Sequence, residues 1–257
     1  MCIKKIAGTL RAISGSPHPK NFTSAIIAAA GMSERFGGDT SKQLIELCGK
    51  PVLVHTLLAY DKAECIHEII IVARKHEIPM WESLCREYGI LTAVKTVVGG
   101  MTRQESVMNG LEAVDKRSKY VAIADGARCL TNEDQITAVC RAAYKYKAAT
   151  AAHRSTDTVK IADSKGFIDT TADRNTVWLA QTPQVFKTSL YRSAAYTALK
   201  KGFEATDDNS LVEAIGHPVR LVECGASNIK ITTRDDLPVA EAILKERQRY
   251  EEEGYLG

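Results

Sequence analysis

From Ser24 onward, short unbroken apolar runs take turns with segments whose apolar residues recur every three or four positions. The first run, SAIIAAA, reads as a strand. KPVLVHTLLAYDKA follows with helical spacing through Val54, Leu57, Leu58 and Tyr60. HEIIIVAR (His67–Arg74) is apolar through its centre, the pattern of a strand buried on both faces. IPMWESLCREYG predicts a helix stopped by Gly89, AVKTVVGG a strand, and TRQESVMNGLEAV a helix with Val107, Leu111 and Val114 on one side. KYVAIADGA is the next strand, and NEDQITAVCRAAYKYK a helix with Asn132 as its N-cap. Such alternation predicts an α/β fold, a mainly parallel sheet flanked by helices with right-handed crossovers.

The alternation breaks at Ala148. Through AATAAHRSTDTVKIADSKGFIDTTADRNTVWLAQTPQVF run short strand-like pieces and turn signals such as Ser164-Lys165-Gly166. This predicts an inserted β-arm, about residues 151–186, in place of another βα unit. A helix returns near Ser189–Lys201, and TDDNSLVEAIG predicts a short helix for which Asp207 and Asp208 read as caps. PVRLVECG and NIKIT read as strands. RDDLPVAEAILKERQRYEEE closes the chain as a helix with Asp235 and Asp236 at its positive end. With no internal repeat, low-complexity tract or linker, residues 24–250 are expected to form one domain carrying an arm.

Composition narrows the function classes. A net charge of +3 with 25% charged residues is no polycation, so a general grip on nucleic acid is not implied. The 7 cysteines are scattered and odd in number, with no CxxC, which argues against a disulfide framework or zinc site and for a reducing, cytoplasmic compartment. No apolar run approaches a membrane span, and the six His add no metal cluster. Residues 1–23 carry basic residues and only a broken apolar stretch. They are expected to be a poorly ordered extension, or to follow a start codon placed too early, and not to be a signal peptide.

Ligands of open parallel sheets sit at the carboxyl ends of the strands. The residues after those ends here are Gly31–Lys42, Gly99–Arg103 and Asp125–Arg128. Ala28, Ala29, Ala30 and Gly31 leave bare backbone whose N–H groups can hold phosphate oxygens, and Arg35 and Lys42 can neutralise their charge. Neither GxxxxGK[ST] nor GxGxxG occurs, so the expected phosphate site is of another design. Taken singly, each feature also fits a plain turn, a solvated cation or a capping carboxylate.

Together, the order and spacing of AAAGMSERFGGDTSKQLIELCGKPVL, GGMTRQESVMNGL, TDD…LVE and NIKITTRDDL resemble the 2-C-methyl-D-erythritol 4-phosphate cytidylyltransferases of non-mevalonate isoprenoid biosynthesis, from Ser24 to the last helix. The resemblance implies a Rossmann-like nucleotidyltransferase fold whose β-arm serves dimerisation. It also implies an enzyme that joins CTP to a polyol phosphate with Mg²⁺ and releases pyrophosphate. Ala29, Ala30 and Gly31 would then lie against the nucleotide. Arg35 and Lys42 would stabilise charge on the α-phosphate and the departing pyrophosphate. Gly99, Gly100 and Ser106 would meet the base, with Arg103 facing the same pocket. Asp125 would help hold Mg²⁺, Arg128 would contact the phosphate-bearing substrate, and Lys230 would grip its phosphate. Thr158 and Arg174 on the arm would reach the neighbouring subunit's site in a homodimer with shared active sites.

Two departures bear on this. Where the family typically has His-Asp-Ala-Ala-Arg-Pro, this chain has Ala124-Asp125-Gly126-Ala127-Arg128-Cys129, and Met101 stands where relatives can carry an acid. Two rival readings follow, a ribitol-5-phosphate cytidylyltransferase with the same fold and a catalytically dead nucleotide-binding paralogue. The retained Arg35, Lys42, Asp125 and Lys230 oppose the second.

Overall fold

A computed structural model of the chain describes residues 19–31, 36 and 41–254. Arg35 and most of the expected extension, residues 1–18, lie outside the described residues. The elements in chain order are β1 (Thr23–Ala28), β2 (Glu46–Leu47), β3 (Lys50–Pro51), α1 (Val52–Lys62), β4 (Glu68–Ala73), α2 (Ile78–Glu87), β5 (Ala93–Val98), α3 (Arg103–Ala113), β6 (Tyr120–Asp125), α4 (Glu133–Tyr146) and β7 (Ala148–Arg154). Then come β8 (Lys160–Ala162), β9 (Ile168–Thr171), β10 (Trp178–Lys187), α5 (Thr188–Lys201), α6 (Asp208–Ala214), β11 (Arg220–Glu223) and α7 (Asp236–Glu252).

The main sheet has the order β11-β7-β10-β6-β1-β4-β5. All its pairings are parallel except those of β10, which is antiparallel to both β6 and β7. Successive residues of the central strands point to opposite faces. Ile27, Ile69, Ile71 and Ala124 pack with Leu57, Tyr60, Trp81 and Val139 of α1, α2 and α4 on one side. Ile26, Ile70, Val121 and Ile123 pack with Val107, Leu111, Tyr191 and Leu211 of α3, α5 and α6 on the other. Burial on both sides is why β4 and β6 read as unbroken apolar runs. The helix signals are realised locally: Gly89 has φ +65°, and Asn132 caps α4 in a reciprocal box with Gln135.

Two expectations differ from the structure. The flanks of the segment expected as an arm, β7 and β10, are members of the main sheet. Only β8 and β9 pair apart from it, as an exposed hairpin. The weak AATAA run is an interior strand of the sheet, one in from its edge, and its small side chains let α4 pack closely, so it is buried despite little apolar bulk. NIKIT is no strand. Its Ile231 N–H donates to Ala127 C=O, and Asn228 is fully buried and bonded through its side chain, which fixes an irregular loop beneath the site.

Candidate active site

A cleft of about 360 Å³ opens at the carboxyl ends of β1, β4, β5 and β6. Ala28, Ala30, Gly31, Lys42, Arg74, Gly100, Arg103, Ser106, Asp125 and Lys230 are among its lining residues. Its floor depends on absent side chains. A Cβ at Gly99 would stand 2.3 Å from that of Ala30 and 3.0 Å from Ser106 Oγ, and one at Gly100 would stand 2.3 Å from Glu105 Cβ. Thus the two glycines let the loop after β5 lie close against Ala30 and the start of α3. Ser106 Oγ accepts the Gly100 N–H at 3.0 Å and keeps its own proton to donate. Thr102 caps α3 by accepting the Glu105 N–H, while Glu105 Oε2 accepts the Met101 N–H. Met101 itself points outward, 94% exposed.

The charges converge on Asp125, the last residue of β6. Its carboxylate lies 3.0 Å from Lys230 Nζ, 3.5 Å from Arg103 Nε and 3.7 Å from Arg128 Nε. Burial pushes the Asp125 pKa up, but Lys230, Arg103 and Arg128 outweigh it and hold the group below the usual carboxylate range. Its backbone N–H donates to Thr182 Oγ1. Thr182 lies where the β7–β10 register shifts between Ala180 and Gln184, and its carbonyl accepts from Asn228 Nδ2. Asn228 in turn accepts Arg128 Nη1 on its carbonyl at 2.6 Å. The strand irregularity thereby ties Asp125, Arg128 and the loop bearing Lys230 into one network.

The predicted residues divide by place. Lys42, Ala30, Gly31, Gly100, Arg103, Ser106, Asp125 and Lys230 meet at the cleft. Ala29 is buried beneath it, its N–H on Val72 C=O, and Gly99 lies against Ala30. Arg128 is held under Asp125 by Asn228 and is mostly buried, which lowers its pKa more than Asp125 raises it. Thr158 and Arg174 are exposed and outside the cleft of their own chain, with Arg174 donating to Thr156 C=O. The two changed positions of the Ala124–Cys129 stretch lie in the interior, whereas Met101 is exposed. Ala124 packs in the core between β1 and α4, and Cys129 packs with Leu130, Val52 and Leu244, where burial pushes its thiol up to about 12. Each of the described cysteines is a free thiol.

Sequence reading missed Arg74 and Asp208. Arg74 directly follows β4, lines the cleft and pairs with Glu77. Its place after a buried strand was the available signal. Asp207, not Asp208, caps α6 by accepting the Ser210 N–H. Asp208 is buried against Arg103. Among the described residues no group of three or more His, Cys, Asp or Glu could hold a metal ion, and no helix is long and apolar enough to cross a membrane.

The family model described as 2-C-methyl-D-erythritol 4-phosphate cytidylyltransferase matches residues 23–246. The enzyme of that name from Caldanaerobacter subterraneus is 44% identical over 223 residues, covering 86% of this chain and 98% of its own. That from Thermosynechococcus vestitus is 40% identical over 228 residues, covering 89% and 97%. Among solved structures, 4-diphosphocytidyl-2C-methyl-D-erythritol synthase from Anaerococcus prevotii superposes with TM-score 0.79 at 36% identity, covering 88% of this chain and 99% of that one. The Thermus thermophilus cytidylyltransferase superposes with TM-score 0.73 at 32% identity, covering 87% and 99%.

Proposed function

The chain belongs to the 2-C-methyl-D-erythritol 4-phosphate cytidylyltransferase family, and from that premise we propose that it transfers the cytidylyl group of CTP to 2-C-methyl-D-erythritol 4-phosphate and releases pyrophosphate. The observation that carries the reading is the meeting of Lys42, Lys230, Arg103 and Asp125 at one cleft whose floor is bare backbone. The acceptor's phosphate oxygen attacks the α-phosphorus, a new P–O bond forms, and the bond to the β-phosphate bridging oxygen breaks in line. Lys42, with Arg35, stabilises the charge that grows on the α-phosphate and leaving group. Lys230 holds the acceptor phosphate, and Arg128, held beneath Asp125, adds positive charge behind it. Ser106 and the Gly99–Gly100 backbone face the base.

Mg²⁺ suits the donor set. It binds through one or two carboxylates plus substrate phosphates and retains waters, so Asp125 suffices as the chain's contribution. When bound with the triphosphate it would neutralise phosphate charge. Asp125→Asn keeps the shape and loses the charge, and should abolish Mg²⁺-dependent turnover with the fold intact.

The arm supports a homodimer with shared sites. Ile161, Phe167, Ile168 and Leu179 are large exposed apolar residues on or beside the hairpin, and Thr158 and Arg174 stand clear of their own cleft. Burial of Ala124 and Cys129 away from the cleft speaks against a dead paralogue. Pyrophosphate release is the test. Turnover with CTP and 2-C-methyl-D-erythritol 4-phosphate is expected. Preference for ribitol 5-phosphate would reassign the acceptor, and no release with either would leave only a nucleotide binder.

A further inference from the structure

We propose that Asp208 is a positioning residue of this cleft: it holds the Arg103 guanidinium back from Asp125 and so sets the cation that meets the nucleotide. The proposal rests on the nucleotide-binding reading above. Asp208 is 1% exposed. A buried carboxylate is costly unless paired, and α6 does not need this one, because Asp207 supplies the cap. One Asp208 oxygen accepts the Tyr191 O–H at 2.5 Å, and the other lies 2.7 Å from Arg103 Nη2. The backbone N–H groups of Asp208 and Asn209 both donate to Gln184 Oε1, which locks the start of α6 to β10.

Arg103 therefore stands between two carboxylates, 2.7 Å from Asp208 and 3.5 Å from Asp125. It is also the first residue of α3, where the positive helix end disfavours a cation. A guanidinium can span two acceptors because its donors form a rigid planar fork. Without the Asp208 charge, Asp125 is the remaining carboxylate beside Arg103. The guanidinium would close on it, occupying the oxygens that the ligand and Lys230 use.

Positioning and plain electrostatics predict opposite signs. Removing a negative charge near a triphosphate should tighten binding if Asp208 acts only through its field. If it acts by placing Arg103, removal should weaken binding. CTP affinity is measured by calorimetry for wild type, Asp208→Asn, Arg103→Gln and the double variant, with thermal melting of each. Asp208→Asn is expected to weaken CTP on the order of tenfold, and to add little in the Arg103→Gln background, because coupled neighbours are non-additive. A general loosening of the fold would instead add in both backgrounds. Unchanged or tighter CTP binding in Asp208→Asn, or additive losses, overturns the proposal. Should Asp208→Asn fail to fold, Arg103→Lys decides it: an ammonium cannot span both carboxylates, so wild-type affinity there overturns the proposal as well. A wild-type protein that binds no CTP would instead overturn the functional reading, and this inference with it.

Discussion

The two ends of β1 each adjoin a buried carboxylate with a lysine beside it, and the two are built for different work. At the amino end Ser24 stands in register with Glu68, and at the carboxyl end Ala28 stands in register with Asp125. Glu68 is satisfied at close range: Ser24 Oγ donates at 2.6 Å, the Asp115 N–H at 2.9 Å, and Lys95 Nζ lies at 2.6 Å. Asp125 faces three cations at 3.0 to 3.7 Å and opens on a cleft. One carboxylate is complete within the fold. The other carries surplus positive charge around it, which an anionic ligand would complete. A buried polar group with all partners supplied by the chain stabilises structure. One left loosely held at a strand's carboxyl end marks a site.

The sharpest break of this contrast is at the closed end. Glu68→Ala should leave the Ser24 hydroxyl and the Asp115 N–H without their acceptor, while Lys95, 46% exposed, turns to water. One buried and one half-buried donor left without an acceptor predict a loss of about 3 kcal/mol in chemical denaturation, with the turnover of the remaining folded enzyme little changed. Lost turnover at full stability would reverse the assignment of the two ends.

At the open end the expected effects are on rate. Lys42→Ala should lower kcat on the order of 10²-fold, about 2.7 kcal/mol, with a smaller change in CTP affinity, since the cation acts on charge that grows in the transition state. Melting temperature should stay near wild type. Near-wild-type turnover would remove Lys42 from the chemistry.

A further comparison asks whether the open end is completed by a second chain. If Arg174 serves the partner's cleft, Lys42→Ala and Arg174→Ala homodimers are each nearly inactive for different reasons. In a mixed dimer one site inherits both lesions and the other neither, so subunit exchange should restore turnover. Proven heterodimers without recovery would place Arg174 with its own chain.

How legible these ends were in the sequence differs in the same way. Strands β1, β4 and β6 were readable because burial on both faces leaves an unbroken apolar run, and α4 because Asn132 and Gln135 cap it locally. Lys42 and Asp125 were singled out by their places after strand ends and Lys230 by the family resemblance, and the structure brings all three to the cleft. Asp208 was misplaced as a cap because its partner Arg103 is remote in the chain, and only tertiary packing buries it. NIKIT has strand composition, but its structure is set by Asn228 bonding Thr131 and Thr182, contacts no local pattern records. The Glu68 centre was likewise invisible, its three partners coming from separate elements.

The smallest expected effect, and the finest test of the charge surplus at Asp125, is in stability against pH. Lys230, Arg103 and Arg128 hold the folded-state pKa of Asp125 below its ordinary value of 3.8 despite the opposing effect of burial. A depressed carboxylate binds its proton more weakly in the folded chain than in the unfolded one, so ionisation favours folding. Its contribution is fully present above the unfolded value and is lost as pH falls through the folded one. Asp125→Asn has no such group. The stability of wild type minus that of Asp125→Asn should therefore be constant from neutrality to about pH 5, then shrink below pH 3.8 as the wild-type carboxylate takes up its proton. Parallel urea titrations of the two proteins across that range measure the difference directly. A gap that widens on acidification would mean a raised folded pKa, with burial prevailing over the three cations. The open end would then hold its carboxylate for a proton and not for the charge of a ligand.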